Sequence, residues 1–272
     1  MLELTEELSR ELKNKYNPDG STLRLAQVRM VEMLKFIDKI CSDNDIDYWI
    51  DSGTLLGAVR HEGFIPWDDD MDVVMTWKDY KKFKKLMIKN NPSDEFILQC
   101  HKTDKGCYRV WGSIRDLKSE CLQDSKLHKF QKYRGLNMDI FVYRDLYFKF
   151  FYRVCMYINC KKIEVRLHQG KNDVITKFYY LLLRILRCFF YLLNYLYPGK
   201  RDDLHHFYGS GFSECHLKSN VYPLRRIMFE GVECNAPSNI NGYLEELYGK
   251  TWNLIPDEID RQTHEIEVLF NS

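Results

Sequence analysis

The sequence predicts an α+β fold built on a small mixed sheet. Three observations predict it. Segments with helical apolar spacing and short alternating or β-branched runs follow one another without a regular βαβ rhythm. The 272 residues are 45% hydrophobic with a net charge of only +1, which supplies a sizeable core and excludes disorder. No internal repeat or low-complexity linker divides the chain, so 1–272 reads as a single domain. Within it, 22–145 and 221–272 form the core and 146–220 a basic, aromatic helical insertion.

The elements follow in order. Residues 22–42 predict a helix, because Leu23, Met30, Leu34, Ile37 and Cys41 recur at helical spacing after a Ser-Thr start. Asp47–Ile50 is a short strand rich in aromatic and β-branched residues. Ser52-Gly53 turns the chain into a helix from Thr54 to Arg60. Asp70–Met75 reads as a strand and Trp77–Lys89 as an amphipathic helix with Tyr80, Phe83 and Leu86 inward. Further strands are expected at 95–100, 108–115 and 138–143, and long helices at 145–168 and 173–197. A strand pair at 226–235 and a helix at 239–248 close the chain.

Composition bounds the function. With 40 Lys and Arg against 39 Asp and Glu, no basic excess points to nucleic acid. The N-terminus MLELTEELSRELKNKY has no apolar h-region, so no secretory signal is expected and the cytoplasm is the default location. The nine cysteines contain no CxxC and fit unpaired thiols. Cys215-His216 and His205-His206 are conceivable metal ligands, although scattered buried thiols and surface imidazoles suit this spacing better.

The strongest chemical signal is Trp67-Asp68-Asp69-Asp70-Met71-Asp72, four carboxylates ahead of an apolar strand. On an extended strand Asp70 and Asp72 share a face and repel. A hard cation, Mg²⁺ or Mn²⁺, offsets such a pair and accepts substrate phosphates as further ligands. The competing reading is an acidic turn in which Asp68 or Asp69 serves as a cap. Upstream, Asp51-Ser52-Gly53-Thr54 forms a strand–glycine–helix junction suited to a phosphate. Asp139, between Met138 and Ile140 on a later strand, needs a partner there. It is a third ligand, a base for an attacking hydroxyl, or an edge-strand carboxylate facing water.

These residues resemble a known family. YWIDSGTLLGAVRHEGFIPWDDDMDVVM (48–75) closely resembles the signature of the LicD/fukutin family of phosphotransferases. GLNMDIFVYRD (135–145) is similar to its third-acid strand, and FEGVECNAP (229–237) with YLEELYGKTWNLIP (243–256) to its C-terminal portion. The resemblance implies a nucleotidyltransferase-like core related to DNA polymerase beta. It places Gly53 and Thr54 at the phosphate turn, and Asp70, Asp72 and Asp139 as divalent-metal ligands with a catalytic role. It also implies a CDP-linked donor of phosphocholine, ribitol phosphate or glycerol phosphate, and a glycan or lipid-linked glycan acceptor. Arg60 would bind phosphate or remain a surface cation, and Trp67 would stack on a base or sugar or pack in the core. Asp68 and Asp69 would orient the ligands, with Asp69 on the substrate side. The alternatives are a nucleotidyltransferase loading a nucleotide onto a sugar phosphate, a DxD glycosyltransferase, and a non-catalytic glycan- or membrane-binding protein.

The middle of the chain carries a second signal. Residues 141–197 hold 10 basic against 3 acidic side chains, net +7, and 16 of the 34 Tyr and Phe. The run FYYLLLRILRCFFYLLNYLY (178–197) is long enough to span a bilayer. Eleven Leu, Ile and Phe at about −0.5 kcal/mol each are nearly cancelled by Arg184 and Arg187 at about +3 each. Lys177, Tyr180, Arg184, Arg187, Tyr191 and Asn194 form one polar stripe, so the helix packs in the core, self-associates or lies in a membrane interface. The segment 146–197 is therefore a candidate peripheral membrane contact on the cytoplasmic side.

Overall fold

The computed structural model describes residues 2–107, 109, 111–122, 128–145, 154, 157–158, 174–196, 202–206, 215–261 and 267–270. It begins with helix α1 (Glu6–Tyr16), which the sequence reading did not include. Thr5 caps it by accepting from Leu8 N–H, and Glu6 and Glu7 sit at its positive end. Helix α2 (Thr22–Asp43) is capped by Ser21 and buries Met30, Leu34, Ile37 and Cys41, as the spacing predicts. Strand β1 (Tyr48–Ile50), helix α3 (Ser52–His61), strand β2 (Asp72–Thr76) and helix α4 (Trp77–Lys89) follow. Thr76 ends β2 and caps α4 by accepting from Asp79 N–H.

Strands β3 (Phe96–Gln99), β4 (Gly112–Asp116), β5 (Ser119–Cys121) and β6 (Asn137–Asp145) come next. Helix α5 (Val174–Leu196) leads to β7 (Asp203–His206), β8 (Cys215–Leu217) and the short α6 (Lys218–Val221). The chain closes with β9 (Arg225–Phe229), β10 (Val232–Ala236), α7 (Ile240–Tyr248) and β11 (Val268–Phe270).

The central sheet runs β1-β2-β6-β4-β3, with β7 also on β6 and β8 on β7. Among the described residues only β2 and β6 pair in parallel; the other pairs are antiparallel, so the sheet is mixed as expected. The long β6 serves two partners along one edge, β4 over its first half and β7 over its last three residues. Alternation then divides the two faces. Val73, Met75, Ile140 and Val142 are fully buried on the face covered by α2 and α4. Asp72, Asp139, Phe141 and Tyr143 stand on the other.

Three expectations need adjustment. The strand expected at 108–115 begins at Gly112. The helix expected at 145–168 yields first to β6, which continues to Asp145, and most of the remainder lies outside the described residues. The insertion read as helical contains β7 and β8, which rejoin the central sheet. No helix among the described residues is long and apolar enough to cross a membrane.

Candidate active site

Asp72 and Asp139 are register partners on the parallel pair β2–β6, so their side chains leave the sheet side by side on one face. The pairing is secured beyond the ladder by Asp139 N–H donating to Met71 O at 3.0 Å. Asp70 is not on the strand that the alternation argument gave it. The β1 ladder ends with Asp51 N–H donating to Asp72 O, so β2 starts at Asp72 and Asp70 lies exposed in the approach loop. Asp70, Asp72 and Asp139 nevertheless line one cleft of about 840 Å³. Carboxylate oxygens of Asp68, Asp69 and Asp70 lie within 4.8 Å of one another at its edge.

Helix α3 points its first turn at this cleft, with Ser52 and Gly53 on the lining. Ser52 adopts φ +47°, a left-handed conformation that costs a non-glycine residue roughly 1–3 kcal/mol and persists only where surroundings enforce it. A Cβ on Gly53 would lie 2.6 Å from Asp68 Oδ2, so the glycine admits that carboxylate to the helix start. Thr54 is buried, and its Oγ1 accepts from Asp72 N–H at 2.9 Å. Its hydroxyl therefore fastens α3 to the start of β2, and neither Thr54 nor Asp69 is among the cleft-lining residues.

Arg60 lines the cleft from the last turn of α3. Its Nη1 donates to Leu254 O at 3.0 Å and Trp252 O at 3.3 Å, and its Nε to His61 Nε2 at 3.1 Å. No carboxylate pairs with it among the described residues. Burial lowers its pKa to about 10, which leaves it a cation at neutral pH. Trp67 is 6% exposed, packed edge-on to Tyr16 at 5.4 Å and under Arg261, and still contributes to the cleft wall.

Two residues that the sequence reading left aside shape the acids. Asp51 is 1% exposed and accepts from Tyr243 Oη at 2.6 Å, while Tyr243 accepts from Trp49 Nε1 at 3.1 Å. Burial raises the Asp51 pKa, and the hydrogen bonds from Tyr243 and Ser52 draw it back. Its signal in the sequence was an Asp at the helix N-cap, although its side chain makes no capping bond. Arg109 Nη1 and Ser113 Oγ both meet Asp139 Oδ1 at 2.5 Å, and Asn137 Nδ2 reaches it at 3.2 Å. Among the described residues no donor reaches Asp139 Oδ2. Nothing in the sequence around Arg109 announces this pairing.

The electrostatics leave the acids under-compensated. Burial pushes the Asp72 carboxyl well above its ordinary range, and the charges of Asp70, Asp139, Asp51 and Asp68 push it further. Asp68 is raised by burial and then by Asp70 and Asp69. A set of oxygen donors that repel one another fits a hard divalent cation. Asp70, Asp72 and Asp139 can offer such a cation ligands from the loop, β2 and β6.

Comparisons with known proteins agree with the motif reading. Residues 45–162 match the family model described as LicD/FKTN/FKRP, nucleotidyltransferase domain. That segment contains 48–75 and 135–145, so the resemblance to the LicD family is shown there. The chain is 27% identical over 274 residues to the lipopolysaccharide cholinephosphotransferase LicD of Haemophilus influenzae, covering 92% of this chain and 98% of that protein. An uncharacterized protein of Rickettsia typhi is 43% identical over 130 residues, 41% of each chain. The ribitol 5-phosphate transferase FKRP of Homo sapiens is 33% identical over 55 residues, 20% of this chain and 11% of that one. The two relatives with named activities are transferases of phosphate-bearing groups.

Proposed function

We propose, on the premise that residues 45–162 carry a LicD/FKTN/FKRP-type domain, that the protein is a metal-dependent phosphotransferase. It moves a phosphorylated small group from a CDP-linked donor to a hydroxyl of a glycan or lipid-linked glycan. The central sheet then serves as a nucleotidyltransferase-like core. The observation that carries this reading is the in-register Asp72–Asp139 pair in the same cleft as the α3 N-terminus and Arg60, whose guanidinium meets no carboxylate among the described residues.

Phosphoryl transfer asks a protein for positioning and charge stabilisation. Asp70, Asp72 and Asp139 hold Mg²⁺ or Mn²⁺, which when bound supplies positive charge against the donor diphosphate. The α3 N-terminus at Gly53 orients a phosphate, and the Arg60 guanidinium pairs with its oxygens. Oδ1 of Asp139 is held by Arg109, Ser113 and Asn137, so Oδ2 is the oxygen left to reach the metal or, in its place, to orient the acceptor hydroxyl. Trp67 supplies an aromatic edge to the donor's base or sugar. We place the enzyme at the cytoplasmic face of a membrane, docked through α5, which exposes a row of apolar side chains.

The test is incubation with Mg²⁺, a panel of CDP-linked donors and a panel of soluble glycan acceptors, following the released nucleotide and the modified glycan by mass spectrometry. CMP release by the wild type, lost by at least a hundredfold in Asp72→Asn and Asp139→Asn, is the expected result. Pyrophosphate release from CTP and a phosphorylated alcohol would instead assign the nucleotidyltransferase reaction. Neither product, or undiminished turnover in Asp72→Asn, would overturn the proposal.

A further inference from the structure

The β7–β8 hairpin sorts its histidines and its cysteine by strand alternation. His206 and His216 face Tyr143, each with its ring centroid 5.6 Å away, and His206 lines the cleft. Asp203, His205 and Cys215 face the opposite side. His205 and Cys215 are direct partners in the antiparallel register, and Asp203 lies two residues before His205 on the same face. One carboxylate oxygen, one imidazole nitrogen and one thiol sulfur thus converge within 4.8 Å of one another.

We propose that Asp203, His205 and Cys215 form a second metal site, for Zn²⁺ or a similar transition-metal ion, separate from the carboxylate cleft. The geometry supports it. Bonds of about 2.3 Å to sulfur and about 2.0–2.1 Å to nitrogen at a tetrahedral angle put the two ligand atoms about 3.6 Å apart. Cys215 Sγ and His205 Nε2 are 3.7 Å apart. The donor chemistry supports it too, since thiolate and imidazole select Zn²⁺ over Mg²⁺, whereas Asp70, Asp72 and Asp139 offer oxygens. Arg144, the register partner of His205 on β6, stands on the same face of the sheet.

Because alternation turns these donors away from the cleft, the ion has a structural task. It clamps β7 to β8 and thereby holds His206 and His216 against Tyr143 in the cleft wall. This site stands independently of the reaction proposed above.

The test uses the full chain, stripped with chelator and titrated with Co²⁺, the spectroscopic substitute for Zn²⁺. We expect one equivalent to produce a thiolate-to-metal charge-transfer band in the near ultraviolet that Zn²⁺ bleaches and Mg²⁺ does not. Cys215→Ser should lose the band, His205→Gln should weaken the Co²⁺ binding that the band reports at least tenfold, and Asp72→Asn should leave the band unchanged. Circular dichroism checks that each variant is folded. The wild-type titration is decisive alone: absence of the band overturns the site, as does a band that survives in Cys215→Ser.

Discussion

His61 takes its protonation state from its neighbour. Arg60 Nε donates to His61 Nε2 at 3.1 Å, so that nitrogen carries a lone pair and the ring is neutral, with its proton on Nδ1. Burial, reinforced by the Arg60 charge, lowers the His61 pKa to about 3. The sign follows from linkage. Below about pH 6.5 the unfolded imidazole takes a proton that the folded one refuses until about pH 3, so this residue's contribution is lost as pH falls through that window. The expected loss is about 1 kcal/mol per pH unit, or roughly 2 kcal/mol between pH 7 and pH 5. Urea midpoints should fall over that interval in the wild type and fall less in His61→Gln, whose amide oxygen still accepts from Arg60. An equal fall in both would refute the assignment. At this scale the sequence singled out Asp72, Asp139 and Arg60 as candidates, and the structure brings the three to one cleft. The sequence did not reveal Arg109 or Tyr243, whose contacts with Asp139 and Asp51 join segments 30 and 192 residues apart.

The α3 element converts a sequence motif into a positioned site. Thr54 Oγ1 fixes the start of β2, and Gly53 leaves room for Asp68 at the helix start. A methyl group at residue 53 would stand 2.6 Å from Asp68 Oδ2 and force either the carboxylate or the helix start to move. Since alanine favours helix by up to about 1 kcal/mol over glycine, Gly53→Ala should leave the urea midpoint nearly unchanged. Turnover should nevertheless fall by about a hundredfold, the scale of a displacement near 1 Å in a transfer site. CMP release measured beside urea unfolding separates the two effects, and full activity in Gly53→Ala would show that the close approach is dispensable. Periodicity made α2, α3, α4 and the β9–β10 hairpin readable because each has local apolar spacing or a turn of its own. Strands β7 (Asp-Leu-His-His) and β8 (Cys-His-Leu) have neither β-branched residues nor length. Pairing makes them strands, β7 with β6 and β8 with β7, and no local pattern carries that information.

At the scale of the whole molecule, α5 carries a row of exposed apolar side chains. Phe178, Ile185, Phe189, Leu192 and Leu196 are between 52% and 67% exposed and recur at spacings that place them on one face. Leu183, buried at 5%, marks the side turned to the protein. A water-facing stripe of this kind costs about 25 cal/mol per Å² left uncovered, so it calls for a partner surface. A second copy is disfavoured, because a two-fold interface would bring one +7 segment against another. An anionic lipid surface complements that charge and accepts the apolar face, with the exposed Arg184 beside it at headgroup level. The full chain should therefore co-sediment with phosphatidylglycerol-containing vesicles at low salt and much less with phosphatidylcholine vesicles. Arg184→Gln should weaken binding by about fivefold, the worth of roughly 1 kcal/mol per basic residue. Phe189→Asp should abolish binding while CMP release from a soluble donor continues, which separates docking from chemistry. Failure of the wild type to pellet with anionic vesicles at low salt, equal pelleting of Phe189→Asp, or a concentration-dependent dimer buried through α5 would each remove the membrane from this picture.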